Sequence, residues 1–185
     1  MRDPDGADRD VEFASARVRD PALAARFLAL HAALEAPSWA LERETLLAEC
    51  LRDLAGSPTG SRPTRRAALR DPALRRACEL LGDDLAGDVT LEQLAAAAGV
   101  SRHRLTRLFR AAYGLPPHRF QLAQRIRFAR RLLERGVAAG DVAQQAGFFD
   151  QSHLHRHFRR TLGMTPGRYG AAVRSDVQDA HGVET

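Results

Sequence analysis

Three histidines at alternate positions, His153, His155 and His157, are the first residues whose types and spacing could do chemistry. A metal needs ligands that converge. On a helix His153 and His157 share a face, His155 points elsewhere, and no carboxylate completes the set. The spacing therefore predicts histidines directed at a binding partner or solvent rather than a metal site. Cys50 and Cys78 lie far apart and lack metal-ligand spacing, which fits reduced thiols in a cytoplasmic setting. Asp83, Asp84 and Asp88 have neither the glycine nor the terminal glutamate of a calcium loop. No serine, histidine and aspartate form a nucleophilic set. All 28 basic side chains are arginine. The absence of lysine excludes a Schiff-base lysine and a phosphate loop ending in Gly-Lys-Ser/Thr. The expectation is a protein that is not an enzyme, with no cofactor and no metal.

The arginines are unevenly spread. The formal net charge is +5 over 185 residues, yet residues 102–174 hold 15 arginines against Glu134, Asp141 and Asp150. The first 81 residues are balanced, with 13 arginines and 13 acids. A codon bias towards arginine and alanine accounts for the total but not for this distribution. A basic block inside a structured-looking region points to a polyanionic partner.

The elements that position this block read as helices. Alanine and leucine dominate, and Ile126 is the sole isoleucine, so an all-α protein is expected. No apolar run approaches the ~18 residues of a membrane span. The first residues are acidic and polar rather than a signal peptide. Residues 1–19 read as a flexible acidic segment. Asp20-Pro21 opens a helix with an apolar stripe of Leu23, Phe27, Leu30 and Leu34. Pro37-Ser38 breaks it, and a second helix carries Leu41, Leu47, Leu51 and Leu54, ending near Gly56. The resulting hairpin, residues 20–56, is too small to bury a good core alone and is expected to lean on a partner or on something missing. Residues 57–69 are expected to be a linker, because Gly56 to Pro63 is rich in Gly, Ser and Pro. Asp71-Pro72 repeats the helix-opening signal. Residues 70–170 form the principal domain, and residues 171–185 read as a flexible tail.

An internal repeat organises that domain. Leu94-Ala95-x3-Gly99 recurs as Val142-Ala143-x3-Gly147. Leu105-x3-Phe109-x3-Tyr113-Gly114 recurs as Leu154-x3-Phe158-x3-Leu162-Gly163, and Pro117 recurs as Pro166. Ala95 and Ala143 allow two helices to cross closely. Gly99 and Gly147 allow a turn at positive φ. Ser101 and Asp150 can cap the helices that follow. This is the logic of two helix-turn-helix units. With Leu105 and Phe109 inward, helical geometry puts His103, Thr106, Arg107 and Arg110 outward. With Leu154 and Phe158 inward, it puts Ser152, His155, Arg156 and Arg159 outward. Both faces are polar and basic, as a helix in a major groove requires. A long helix from about Pro117 joins the units. Phe120, Ile126 or Ala123, Leu132 and Leu133 give it apolar contacts, and Arg125, Arg127, Arg130, Arg131 and Arg135 give it charge. At ~1.5 Å per residue it spans roughly 27 Å, close to the ~34 Å between successive major grooves. The fold expected is all-α, with two helix-turn-helix subdomains joined by a long linker helix and preceded by a helical hairpin.

Residues 71–170 resemble the DNA-binding domain of AraC/XylS-type transcriptional regulators. Gly147-Phe-Phe-Asp-Gln-Ser-His-Leu-His-Arg-His-Phe-Arg-Arg-Thr-Leu-Gly-Met-Thr-Pro-Gly-Arg-Tyr169 carries the strongest likeness. Arg125-Ile-Arg-Phe-Ala-Arg-Arg-Leu-Leu133 resembles the connecting helix. Leu91, Leu94-Ala95, Gly99, Ser101, Leu105, Arg107-x-Phe109 and Gly114 carry the first unit. The resemblance implies DNA contacts at His103, Thr106 and Arg107, and at Gln151, Ser152, His155 and Arg156. Arginines on the flanks, such as Arg110 and Arg159, and along the linker helix are expected at phosphates. Phe149 and His155 depart from the small or polar residue and the hydroxyl residue common there. The implied partners are double-stranded DNA, RNA polymerase, and a second copy through residues 20–56. Many members of the family also carry a β-barrel sensor, which cannot fit in residues 1–19. Val11-Glu12-Phe13 reads as a strand remnant, and the chain as a shortened form of a longer regulator.

Two other functions fit parts of the sequence. A DNA-repair alkyltransferase fragment would share the helix-turn-helix module but needs a cysteine cluster that is missing. A helical interaction module would use the hairpin to pair with another subunit.

Overall fold

The computed structural model describes residues 21–54 and 63–181, with side chains to residue 174. The expectations for residues 1–19, the Asp20 cap and the strand remnant at Val11-Glu12-Phe13 lie outside these. Among the described residues the chain forms α1 (Pro21–Glu35), α2 (Ala40–Leu54), α3 (Arg65–Arg70), α4 (Pro72–Asp83), α5 (Leu91–Ala98), α6 (Arg102–Tyr113), α7 (Pro117–Glu134), α8 (Ala139–Gln145), α9 (Gln151–Leu162) and α10 (Pro166–His181), and no strand. The architecture is all-α, with paired helix-turn-helix units α5–α6 and α8–α9 joined by α7.

Local chemistry sets the boundaries. Asp71 accepts from the Ala73 amide, with Pro72 in the first turn of α4. Thr90 and Gln93 form a reciprocal capping box on α5. Ser101 caps α6 and Asp150 caps α9, each accepting from an amide three residues on. Gly99 and Gly147 take φ of 69° and 72° at the turns. Gly147 has a second reason to be glycine: a Cβ there would meet the Ala86 backbone at 2.6 Å.

Each unit has its own core. In the first, Leu74, Ala77 and Leu81 of α4 meet Leu91, Leu94, Ala95 and Ala98 of α5 and Leu105 and Phe109 of α6. In the second, Ile126, Ala129, Leu132 and Leu133 of α7 meet Val142, Ala143, Phe148, Leu154 and Phe158. At the open choice on α7, Ile126 is the deeply buried residue and Ala123 is half-buried. The hairpin joins both cores through residues two apart, because Trp39 enters the second and Leu41 the first. The hairpin therefore leans on the chain's own domain, and not, as expected, on a partner or a missing part.

Several expectations change. Of the linker expected over residues 57–69, residues 57–62 lie outside the described residues and residues 65–69 belong to α3, where Thr64 caps the start and Arg65 donates to the Ala112 carbonyl of α6. The final helix continues past residue 170 to His181, over residues 171–181 of the stretch read as a tail, whose last four residues lie outside the described ones. The hairpin stripes are also re-phased. In α1, Leu23, Leu30 and Ala33 are buried while Phe27 and Leu34 are exposed, because a helix with one neighbour buries only a narrow seam. In α2, Leu46 and Cys50 face α1, and Leu41, Thr45 and Glu49 are buried elsewhere, leaving Leu47 and Leu51 exposed. The polar Thr45 and Glu49 hide this second seam from a reading of apolar spacing.

Candidate nucleic-acid interface

Helix α9 carries the clearer surface. His153, Leu154, His157 and Phe158 turn inward, leaving Gln151, Ser152, His155, Arg156 and Arg159 all exposed. Ser152, His155, Arg156, Arg159 and Arg160 line one shallow groove. The Asp150 carboxylate accepts from the His153 amide at 2.6 Å and fixes the first turn. A capped, basic helix with this row outward matches what a major groove accepts. Arg160, which the sequence reading left out, belongs to the same groove.

Helix α6 is different. His103 and Arg107 line a groove with Ser101 and Arg104, and Arg104 is ion-paired to Asp71 at 3.1 Å. Burial pushes the His103 pKa down, and Arg107 and Arg52 add to the effect, so its imidazole is neutral near pH 7. Thr106, expected outward, is only 2% exposed. Its hydroxyl donates to the Arg102 carbonyl at 3.0 Å. It lies at the floor of a cleft of about 490 Å³ whose other wall is α2, through Glu44, Leu47, Glu49 and Leu51. Arg110, expected free for phosphate, is ion-paired to the buried Glu49 at 2.6 Å. Both side chains face α2 rather than open solvent. The neighbour that occupies that side was not visible in the spacing.

Two further groups are corrected. Arg125, expected at a phosphate, is fully buried. Its Nε donates to the Leu85 carbonyl at 2.8 Å and its Nη2 to the Gly87 carbonyl at 2.7 Å, so it ties the α4–α5 loop to α7. Its guanidinium lies 4.4 Å from the centre of the Trp39 ring. Burial lowers its pKa to about 10, opposed by Asp88 and Asp84, and it remains a cation at neutral pH. His153 and His157, expected at DNA or solvent, are buried with Nε2 atoms 3.0 Å apart, and Trp39 covers both rings. Burial holds each pKa near 4, so they are neutral partners sharing one proton donor. Phe149, the departure noted in the sequence, is half exposed and stacks on Trp39. Trp39 was missed altogether. Its signal was available: the sole tryptophan in a chain with 6% aromatics, just after Pro37-Ser38.

The remaining surfaces carry less chemistry. Cys50 is buried and Cys78 half-buried, and burial pushes both thiols up, away from the reactive thiolate. No group of three or more metal-ligating side chains occurs among the described residues. No helix among them is long and apolar enough to cross a membrane.

Comparison with known proteins places this geometry. A helix-turn-helix domain family matches residues 94–172. The crystal structure of the DNA-binding domain of AdpA, a global transcriptional factor in complex with a target DNA, is 36% identical. It covers 57% of this chain and 96% of that one, with a TM-score of 0.54. The HTH-type transcriptional regulator YbfI of Bacillus subtilis is 34% identical over 134 residues, which is 71% of this chain and 48% of YbfI. The bifunctional transcriptional activator/DNA repair enzyme Ada of Escherichia coli is 38% identical over 96 residues, 52% of this chain and 27% of Ada. The chain belongs to the AraC-type helix-turn-helix family. It spans about half or less of the length of these curated relatives.

Proposed function

We propose that this chain is a sequence-specific transcriptional regulator that reads double-stranded DNA with two helix-turn-helix units in adjacent major grooves. The observation that carries this is the exposed row Gln151, Ser152, His155, Arg156 and Arg159 on the capped helix α9. Arg156 suits the O6 and N7 acceptors of guanine, and Gln151 suits adenine. Arg159 and Arg160 suit phosphates, which position without specifying. In the first unit, His103 and Arg107 hold the corresponding places. Selection of bound sequences from random duplexes, with the protected length recorded, tests the reading. Two grooves in register give a site longer than one helical turn, whereas a footprint of a single groove overturns paired reading. Affinity falls with salt at a log–log slope near −0.9 per phosphate neutralised.

The partners follow from this role. RNA polymerase is the machine such a regulator addresses, and recruitment of purified polymerase to the selected duplex tests it. A second copy through residues 20–56 is supported by exposed Phe27, Leu28 and Leu34 on α1. Light scattering with and without DNA distinguishes one copy from two. We assign no enzymatic activity. The alkyl-transfer reading needs a reactive cysteine, and the two thiols are shielded and raised in pKa. Mass measurement after incubation with methylated DNA tests that directly. The cytoplasm is the compartment that holds the DNA partner and keeps such thiols reduced.

A further inference from the structure

Helix α2 is acidic where it meets the domain. Its Glu44 carboxylate accepts from the Leu91 amide at 2.7 Å and the Glu92 amide at 3.3 Å. These are the first two amides of α5, which have no carbonyl partner within their own helix, and α5 is the first helix of a helix-turn-helix unit. A helix N-terminus of this kind receives an anion, and in this class of motif the first helix crosses the DNA backbone. One turn further on, Glu49 is ion-paired to Arg110 of α6 at 2.6 Å. In the first turn of α2, Glu42 shares a depression with Arg119 of α7 and Arg156 and Arg160 of α9. Three carboxylates of one helix thus oppose an anion-ready helix end and the cations of both reading helices. On the same helix, Leu47 and Leu51 line the cleft over Thr106.

We propose that α2 is an intramolecular stand-in for DNA, its carboxylates taking the places of backbone phosphates, so that the first unit reads DNA only after α2 withdraws. This rests on the assignment of α6 and α9 as the reading helices. The second unit stays accessible, because Gln151, Ser152, His155, Arg156 and Arg159 are all exposed with α2 in place, and of the arginines on α9 Glu42 lies beside Arg156 and Arg160 alone. The chain would then engage a site in two stages, α9 first and α6 after displacement. The attractions α2 makes are the ones DNA replaces, so DNA itself supplies the displacing charge. Competition of this kind lowers apparent affinity by the fraction of molecules in which α2 has withdrawn.

The test uses the full chain. Glu44→Gln with Glu49→Gln keeps side-chain size and removes both charges. Binding to the selected duplex is expected to tighten by roughly tenfold, as for a state whose open fraction rises from a tenth to nearly all. Unchanged or weaker binding by a variant with wild-type helical content overturns the proposal. Arg156→Ala in the same background separates the two layers. If it has no effect on binding, the assignment of the reading helices has failed. If it weakens binding while the double variant does not tighten it, only the role of α2 has failed. A second readout does not depend on the glutamate variants folding. Spin labels at Leu51→Cys and Arg135→Cys, in a Cys78→Ser background, report the separation of α2 from the end of α7. Saturating duplex is expected to lengthen that distance, and an unchanged distribution on bound DNA overturns the proposal.

Discussion

Arg125 and Arg156 are the same residue type on neighbouring helices with opposite tasks. Arg125 is buried and donates to two loop carbonyls, whereas Arg156 is exposed on α9. Hydrogen bonds from a charged group contribute about 1.5–3 kcal/mol each, and removing this donor leaves buried carbonyls unpaired. Arg125→Met is expected to lower stability by roughly 3 kcal/mol in urea denaturation, with most of its DNA affinity kept at low denaturant. Arg156→Ala is expected to leave the denaturation midpoint unchanged. It should weaken specific binding by about 1–3 kcal/mol and relax base choice at one position. Competition with random duplex checks the latter, and equal affinity for both duplexes in wild type and variant would exclude base reading by Arg156. The block of arginines is legible in the sequence as a basic surface. Which of its members is buried was not, because Arg125 is satisfied by carbonyls forty residues earlier.

At the scale of elements, Gly99 and Gly147 occupy equivalent turns but carry different constraints. Both have positive φ. A Cβ at Gly99 meets only Arg76 Nη2 at 3.4 Å, while one at Gly147 meets the Ala86 backbone at 2.6 Å and 2.7 Å. Gly99→Ala is expected to cost about 1 kcal/mol for the left-handed conformation alone. Gly147→Ala adds a backbone clash and should cost at least twice as much by the same denaturation measurement. A smaller loss at Gly147 than at Gly99 would contradict the close approach. The turns, caps and inward faces of both units were legible because they depend on local chemistry: Ser101, Asp150 and the glycines act within a few residues. The hairpin was less legible. Its helices were placed, but Thr45 and Glu49 point to partners that spacing cannot name, and the Glu44 contacts to Leu91 and Glu92 span nearly fifty residues of chain.

For the whole molecule, the seat of Trp39 makes the docked hairpin sensitive to acid. Trp39 donates to the Gly147 carbonyl at 2.9 Å and covers His153 and His157. Burial is the main reason that both imidazoles have pKa values near 4. Arg156 adds to this at His153, as does Arg125, against an opposing Asp150; at His157 the additions come from His153, then Arg156, Arg160 and Arg119. A released histidine takes a proton near pH 6.5, while the docked one resists until about pH 4. Docking is therefore fully favoured above pH 6.5 and weakens as pH falls towards 4. Emission from the single tryptophan should shift to the red across that window, and an unchanged spectrum down to pH 4 would exclude the linkage. Trp39 also lies two residues from Leu41, and the two side chains belong to different cores. Two small subdomains on a shared helix could melt one after the other. Here the three residues from Trp39 to Leu41 serve both cores, so the melting of one core disturbs the other. Calorimetry should find a single transition, with calorimetric and van't Hoff enthalpies agreeing. Trp39→Ala should separate it into two, giving the molecule a partly melted state that the intact chain does not populate.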